Sequence, residues 1–278
     1  MHKIVYIRAF NLQKNMQYEG VLQKMTTDFA QPIKYYLDMG KDFIIMNNLI
    51  GKKIKIQFKG YQCLNCGSDE AIFAQGMCKK CFFESPQLGD WVMKPELSKA
   101  HLGIEDRDLA FEQEVQLKPH IVYLAKTSDI KVGVTRKSQV PYRWIDQGAD
   151  SAIEILEVPN RYLAGVAEVA LKQHISDKTS WQKMLKGIST EKDLLQTKAA
   201  IKNLLPKDLQ KYWIDENQPT ILNFPIEKYP EKVKSINLLK INEFTGILSG
   251  IKGQYLIFED GHVFNVRNQA GNVVLFDF

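Results

Sequence analysis

Four cysteines in two C-x-x-C pairs constrain the fold more than any other feature of the sequence. Cys63 and Cys66 form the first pair, and Cys78 and Cys81 form the second, in a stretch that reads CLNCGSDEAIFAQGMCKKC. Two thiolates three residues apart grip one ion only on a tight turn, and Gly67 relieves the crowding at the first turn. Two such turns supply four soft ligands in a tetrahedron, which favours zinc. The eleven-residue spacer is long enough for a hairpin between the pairs.

The alternative interpretation of these pairs is a redox-active C-x-x-C motif. Two pairs at this spacing favour a structural metal instead, and the spacing resembles zinc ribbons and treble clefs. All four cysteines of the chain lie in this stretch, so none remains to staple another segment. Together with the lack of a signal peptide, this leads us to expect structural Zn²⁺ and a cytoplasmic location. No apolar run approaches the ~20 residues that span a bilayer, so we expect no membrane partner.

The excess positive charge of the chain lies in one window. The chain carries 37 Lys and Arg against 32 Asp and Glu, a net charge of +5. Residues 118–143 contain six basic residues and one acidic residue, so the remainder of the chain sums to zero. Net charge bears on association rather than on fold, so this window permits an anionic partner.

The same window contains two predicted strands. Residues 121–125 are apolar, residues 126–129 form a polar turn, and residues 130–135 form a second strand. A basic loop then leads through Pro141 to Arg143 and Trp144. Two short strands around a polar turn predict a β-hairpin.

The rest of the chain is predicted to be α+β, with β-rich ends. At 278 residues, with 45% hydrophobic residues, the chain is long enough for two domains or for one domain with attached modules. The other predicted strands lie at residues 3–10, 43–46, 53–58, 255–258, 263–266 and 273–276. The predicted helices lie at residues 160–176, from an apolar stripe, and at residues 191–205, with Thr190 as N-cap and Pro206 at the end.

The domain organisation follows from these elements. The predicted divisions are an N-terminal β-rich segment (1–60), a cysteine knuckle (61–90), a connector (91–117), a central α/β domain (118–214) and a small C-terminal β-module (215–278).

The central α/β domain resembles the GIY-YIG nuclease superfamily. The sequence IVYLA is followed ten residues on by KVG, then by an arginine and by a glutamate on a predicted helix. In this resemblance the first-triplet tyrosine is Tyr123, the second-triplet glycine is Gly133, the arginine is Arg143 and the glutamate is Glu168. The resemblance covers residues 118–205 and implies a core of a β-hairpin followed by helices. With its knuckle and C-terminal segment, the chain also resembles an uncharacterised bacterial family of unknown function related to GIY-YIG proteins.

The sequence departs from the superfamily pattern at three points. Lys131 stands where the second triplet has its tyrosine, and the first triplet reads I-V-Y, without glycine. The later asparagine of the superfamily has no clear counterpart, Asn203 being the nearest candidate. The lost tyrosine favours a binding module without catalysis.

The resemblance implies a divalent-metal-dependent endonuclease site. Glu168 would anchor one hydrated Mg²⁺ or Mn²⁺, and Arg143 would make two parallel bonds to phosphate oxygens. Tyr123 would take the proton from water. Lys131 would replace the missing tyrosine as a charge on phosphate or as a proton shuttle.

The predicted contacts to nucleic acid, DNA or RNA, are basic residues of the same window. They are Lys131, Arg136, Lys137 and Arg143.

Each of these residues also has a structural interpretation. Tyr123 fits a core aromatic, Arg143 with Asp146 fits a local ion pair, and Glu168 with Lys172 fits an i, i+4 surface pair. Trp144 and Trp181 are expected in the core rather than as platforms for base stacking. Three functions stay open: an endonuclease, a phosphate-gripping module without catalysis, and a scaffold whose basic loop binds an acidic protein.

Overall fold

A computed structural model of the protein describes residues 16–40, 42–175 and 180–278. Its architecture is mixed α+β, as predicted. The predicted strand at residues 3–10 lies outside the described residues. No helix in these ranges combines the length and the apolar character that a membrane span requires.

Sixteen short strands and eight α-helices make up the described regions. The strands are β1 (Gln17–Val21), β2 (Thr26–Asp28), β3 (Lys34–Asp38), β4 (Phe43–Ile45), β5 (Lys53–Tyr61), β6 (Ile72–Ala74), β7 (Met77–Cys78), β8 (His120–Lys126), β9 (Ile130–Arg136), β10 (Ser151–Val158), β11 (Thr220–Ile221), β12 (Lys234–Ser235), β13 (Glu243–Lys252), β14 (Tyr255–Phe258), β15 (His262–Asn265) and β16 (Asn272–Asp277). The α-helices are α1 (Lys79–Glu84), α2 (Asp90–Met93), α3 (Leu109–Gln116), α4 (Tyr142–Asp146), α5 (Arg161–Lys172), α6 (Trp181–Leu185), α7 (Leu194–Ile201) and α8 (Leu238–Ile241).

The largest sheet joins the two β-rich ends of the chain. Its strand order is β1-β16-β5-β13-β14-β15-β12, with β5 antiparallel to both β16 and β13. In β5, Ile54 and Ile56 are buried, whereas Lys53 is exposed and Lys55 half-buried, which is the alternation that one buried face requires. Strands β1 and β5 therefore share one sheet with β12 to β16, through pairing between distant parts of the sequence.

A second sheet carries the predicted hairpin. Its order is β11-β10-β8-β9, so the hairpin β8–β9 is confirmed and β9 is an edge strand. One face packs against α5 through Ala164, Ala167 and Leu171, in one apolar core. Tyr123 belongs to the other face, whose core is shared with the large sheet. The hairpin thus lies between α5 and the sheet built from the chain ends.

Two helix boundaries depend on their caps. Helix α5 begins after Asn160, whose side chain accepts a hydrogen bond from the N–H of Leu163 at 3.0 Å, close to the predicted start. Helix α7 begins later than predicted, because Asp193 rather than Thr190 caps it by accepting from the N–H of Gln196 at 2.8 Å. A carboxylate suits that position because it also interacts favourably with the helix dipole.

The segment predicted as a connector, residues 91–117, contains α2 and α3 and packs against α5. Trp91 is buried, and Arg161 donates to the carbonyl oxygens of Trp91 and Val92 at 2.9 and 2.8 Å. A Cβ on Gly165 would lie 2.2 Å from the backbone nitrogen of Glu96. Only glycine permits this close approach of helix and chain, which fixes the position of α5 beside the hairpin.

Candidate functional site

Tyr123 lies across the backbone of Gly133 in the centre of the hairpin. The two residues pair directly between β8 and β9, and the tyrosine is fully buried. A Cβ on Gly133 would lie 2.6 Å from the Tyr123 hydroxyl. The ring also meets Trp144 edge-on, with ring centroids 5.9 Å apart. Residue 133 must therefore be glycine for the tyrosine ring to occupy this place.

The hydroxyl of Tyr123 is held by Gln147, four residues after Arg143. The Gln147 side-chain nitrogen donates to that hydroxyl at 2.6 Å, and its Oε1 is buried without a hydrogen-bond partner among the described residues. Burial raises the pKa of Tyr123, the charge of Glu168 adds to the rise, and Arg143 and Gln147 oppose it. The phenol is therefore protonated at neutral pH. If the Gln147 amide is turned by 180°, the Tyr123 hydroxyl can donate a hydrogen bond to Oε1.

The positive charge of Arg143 acts on three other basic side chains. Burial lowers the pKa of Lys131 to about 8, and Arg143 lowers it further. Burial also lowers the pKa of Arg161 to about 10, with Glu168 opposing the shift and Arg143 adding to it. Desolvation and then Arg143 lower the pKa of Arg267, with the charge of Asp146 opposing the shift. Lys131, Arg161 and Arg267 therefore each stand within electrostatic range of Arg143.

Three of these four cations have neither a carboxylate nor a carbonyl partner among the described residues. Arg161 is held by the carbonyl groups described above and lies over the ring of Trp91, 5.3 Å from its centroid. Lys131, Arg143 and Arg267 form no ion pair with any carboxylate in the described part of the chain. The expected pair of Arg143 with Asp146 is absent there, because Asp146 pairs with Lys24 at 2.5 Å.

Two of the unpaired cations line a cleft between the hairpin and the large sheet. The cleft has a volume of about 220 Å³, and Lys131, Gln147 and Arg267 contribute to its walls together with Trp181 and Tyr255. Cations that face a cleft without carboxylate partners favour an anionic ligand, since the ligand would relieve their mutual repulsion.

The other two predicted nucleic-acid contacts lie at the far end of β9. Arg136 is paired across the hairpin with His120. Lys137 donates to both carboxylate oxygens of Glu157, at 2.8 and 2.7 Å. Arg136 lies five residues after Lys131 along the strand, roughly 16 Å away at ~3.3 Å per residue. The structure therefore groups Lys131 with Arg143 and leaves Arg136 and Lys137 apart from them.

Glu168 is buried on α5 and forms the i, i+4 pair with Lys172, at 3.4 Å. Burial raises the pKa of Glu168, with Lys172 and then Arg161 opposing the rise. The charge of Glu168 also reaches the Tyr123 hydroxyl. The Glu168 carboxylate therefore lies close enough to Tyr123 for its charge to act there, and its ion-pair partner is Lys172.

The four cysteines lie together in the cluster that their spacing predicts, and the cluster could hold a metal ion. Their sulfur atoms all lie within 4.8 Å of one another, and Sγ of Cys66 is 3.9 Å from Sγ of Cys78. A tetrahedral ion with ~2.3 Å bonds to sulfur requires sulfur atoms about 3.8 Å apart. Burial acts to raise the pKa of Cys63, but backbone N–H groups, chiefly of Cys66 and Cys78, outweigh it and lower the pKa to about 6. The cluster fits a metal ion, and Glu168 lies outside it.

A family comparison places the whole of this arrangement in one group of proteins. Residues 51–274 match the family described as "Protein of unknown function (DUF2797)", which is more than half of the chain. The chain belongs to the DUF2797 family. No curated protein and no solved structure matches it. In this DUF2797 protein, the match includes all four cysteines, the hairpin and Arg267.

Sequence reasoning missed three residues of the site. Gln147 carried a signal, because it lies one helical turn after Arg143 and so on the same side of a helix. Arg161 lies only seven residues before Glu168 but has no motif of its own. Arg267 follows β15 and reaches the site only because the large sheet brings the end of the chain to the hairpin.

We expect the DUF2797 protein to retain about one equivalent of metal, measured by atomic emission after gel filtration. The substitution Cys78→Ser should abolish retention and lower the thermal midpoint by roughly 5 °C or more, because metal binding contributes to folding free energy. Ser68→Ala is the control, since Ser68 contacts the Cys66 sulfur without being a ligand. Full metal content in the Cys78→Ser protein would contradict the cluster.

Proposed function

We propose that the DUF2797 protein binds nucleic acid through its phosphate groups, at the cleft beside the β8–β9 hairpin. The observation that carries this proposal is the set of three cations, Lys131, Arg143 and Arg267, without carboxylate partners among the described residues. Crowded and partly buried like charges are unfavourable unless an opposite charge compensates them. A phosphodiester supplies that charge.

The three cations suit phosphate in different ways. The planar guanidinium groups of Arg143 and Arg267 can each donate two parallel hydrogen bonds to phosphate oxygens. Lys131 supplies a point charge. Gln147, which holds the buried Tyr123 hydroxyl, lies in the cleft wall and adds a neutral amide donor. The site thus offers donors to several oxygens at once, which fits a phosphate better than a single carboxylate.

The order of elements supports a GIY-YIG-like core for residues 118–214. The hairpin β8–β9 comes first, Arg143 follows on α4, and Glu168 follows on α5. Tyr123 and Gly133, the two triplet residues, face each other in the hairpin. These placements agree with what the superfamily resemblance implies.

The cysteine cluster supports zinc in a treble-clef arrangement. Cys63 and Cys66 precede the hairpin β6–β7, Cys78 ends that hairpin, and Cys81 lies in α1. Four thiolates in a tetrahedral cluster select soft ions such as Zn²⁺. Such a site requires reduced cysteines, so we place the protein in the cytoplasm.

The substitution Arg143→Ala should weaken binding of a fluorescein-labelled oligonucleotide by 10-fold or more at about 0.1 M salt, and should reduce the salt slope by about one. Lys137→Ala removes the same charge from the same window and is the matched control. Because Glu157 already neutralises Lys137, the control should change affinity less than threefold. Equal losses in the two variants would show that general charge, and not this site, binds the oligonucleotide.

Binding should weaken about 10-fold between pH 7 and pH 9. The pKa of Lys131 is lowered to about 8, so the ammonium group loses its proton over this interval. The variant Lys131→Arg should retain its affinity across the same range, as followed by fluorescence anisotropy. A wild-type affinity that does not change with pH would exclude Lys131 from the phosphate contacts.

Phosphodiester hydrolysis is the second candidate function. The observation that favours it is the reach of the Glu168 charge to Tyr123, since the superfamily resemblance assigns these two residues to metal and proton transfer. Hydrolysis would require Glu168 to exchange Lys172 for Mg²⁺ or Mn²⁺, which would act as Lewis acid when bound. Tyr123 would orient water or phosphate while it is protonated. It could accept a proton from water only after losing its own.

The substitution Glu168→Gln should abolish Mg²⁺- or Mn²⁺-dependent cutting of labelled DNA or RNA while changing binding little, as resolved on denaturing gels. Glu114→Gln is the matched control, because Glu114 and Lys118 form an exposed i, i+4 pair at 3.3 Å. Cutting that survives in the Glu168→Gln protein would exclude this carboxylate. Binding without cutting by the wild-type protein would leave phosphate binding as the function.

A further inference from the structure

Trp181 and Tyr255 form an aromatic stack at the cleft, contrary to the expectation that Trp181 is a core residue. Trp181 begins α6 and Tyr255 begins β14, and their rings are nearly parallel, with centroids 5.9 Å apart and planes inclined by 6°. Trp144 is buried as expected, but Trp181 is 36% exposed and lines the cleft. An exposed ring already stacked on another ring is a flat platform on which a further planar group can stack.

The cleft places this platform beside unpaired cations. Lys131 and Arg267 lie on the same cleft as Trp181. Among the described residues, the cleft wall contains one carboxylate, Asp146, which pairs with Lys24 and accepts a hydrogen bond from Gln254 at 3.0 Å. A ligand with both a planar group and a negative charge therefore matches the cleft.

The size of the cleft selects among such ligands. The volume of about 220 Å³ is smaller than the volume of sites for drug-sized ligands. It equals that of a cube with an edge of about 6 Å. A base within a double helix is covered on both faces and paired at its edge, so it cannot enter. An unpaired base can enter, with its phosphate beside the cations.

We propose that the cleft receives one unpaired nucleotide, with its base stacked on Trp181 and its phosphate bound by Lys131 and Arg267. The DUF2797 protein accordingly prefers single-stranded to double-stranded nucleic acid. This inference rests on the proposed phosphate binding and adds the substrate class to it. A free nucleotide offers the same base and phosphate, but the neighbouring Arg143 gives a longer strand further phosphate contacts.

The test compares four ligands with wild-type protein, Trp181→Ala and Trp181→Phe. The ligands are a single strand of roughly 12 nucleotides, its duplex, an abasic strand of equal length, and a nucleoside monophosphate. Anisotropy and competition give affinities, and quenching of tryptophan fluorescence reports stacking. Thermal melting checks that the variants fold, and Trp181→Phe keeps an aromatic ring if Trp181→Ala is unstable.

The wild-type protein should bind the single strand roughly 5- to 150-fold more tightly than the abasic strand, the range for stacking one base. Trp181→Ala should lose that advantage and keep its affinity for the abasic strand, whereas Trp181→Phe should keep part of it. The monophosphate should compete only weakly, and the single strand should quench wild-type fluorescence more than that of Trp181→Phe.

Equal wild-type affinity for the normal and abasic strands, equal or tighter binding of the duplex, or a monophosphate as tight as the strand would overturn this inference. The proposed function would survive the first two results if Arg143→Ala still weakened binding. Failure of the wild-type protein to bind any of the strands would overturn the proposed function as well, so the two failures are distinguishable.

Discussion

The candidate site depends on the contact between the Tyr123 ring and the bare backbone of Gly133. Because residue 133 has no Cβ, the ring lies over the edge strand and points its hydroxyl toward Gln147. Trp144 supports the ring edge-on. A larger residue at position 133 would displace the hydroxyl and the glutamine together. The hairpin therefore fixes a buried donor at the place where Arg143 and Lys131 also act.

The chain neutralises other buried lysines, which makes the unpaired cations of the site informative. Lys252 is buried and pairs with Asp150 at 2.5 Å. Lys198 is buried, donates to the carbonyl of Glu216 and lies 5.4 Å from the ring centroid of Trp213. Burying a charge is costly unless partners compensate it. Lys131 is largely withdrawn from solvent and has neither a carboxylate nor a carbonyl partner among the described residues, so the fold keeps an electrostatic strain here that it removes elsewhere.

Local sequence patterns predicted the local parts of the structure. The C-x-x-C spacing identified the cysteine cluster, the alternation of apolar and polar residues identified β5, and the apolar runs on either side of a polar turn identified the hairpin. The apolar stripe and Asn160 located α5 to within a few residues. These features depend on chemistry between neighbours in the chain, and the sequence contains that chemistry directly.

Long-range pairing could not be predicted in the same way. The antiparallel pairing of β5 with both β13 and β16 brings Arg267 to the hairpin, and no periodicity in either segment specifies its partner. The burial of Glu168 and the exposure of Trp181 likewise depend on which elements pack beside them. Motifs therefore pointed to part of the candidate site, whereas the cleft exists only because the two sheets pack together.

Under the proposed function, the lysine at position 131 favours binding of phosphate over its hydrolysis. A tyrosine there would be neutral at pH 7, whereas Lys131, with its pKa near 8, is mostly charged. A phosphodiester is negatively charged before any bond is broken, so a cation at this position strengthens binding of the intact strand. The part of this attraction that is already present in the ground state increases affinity without increasing the rate of the chemical step. With a protonated phenol, an acid paired to Lys172 and an additional cation, the arrangement suits holding a phosphodiester strand better than cutting it.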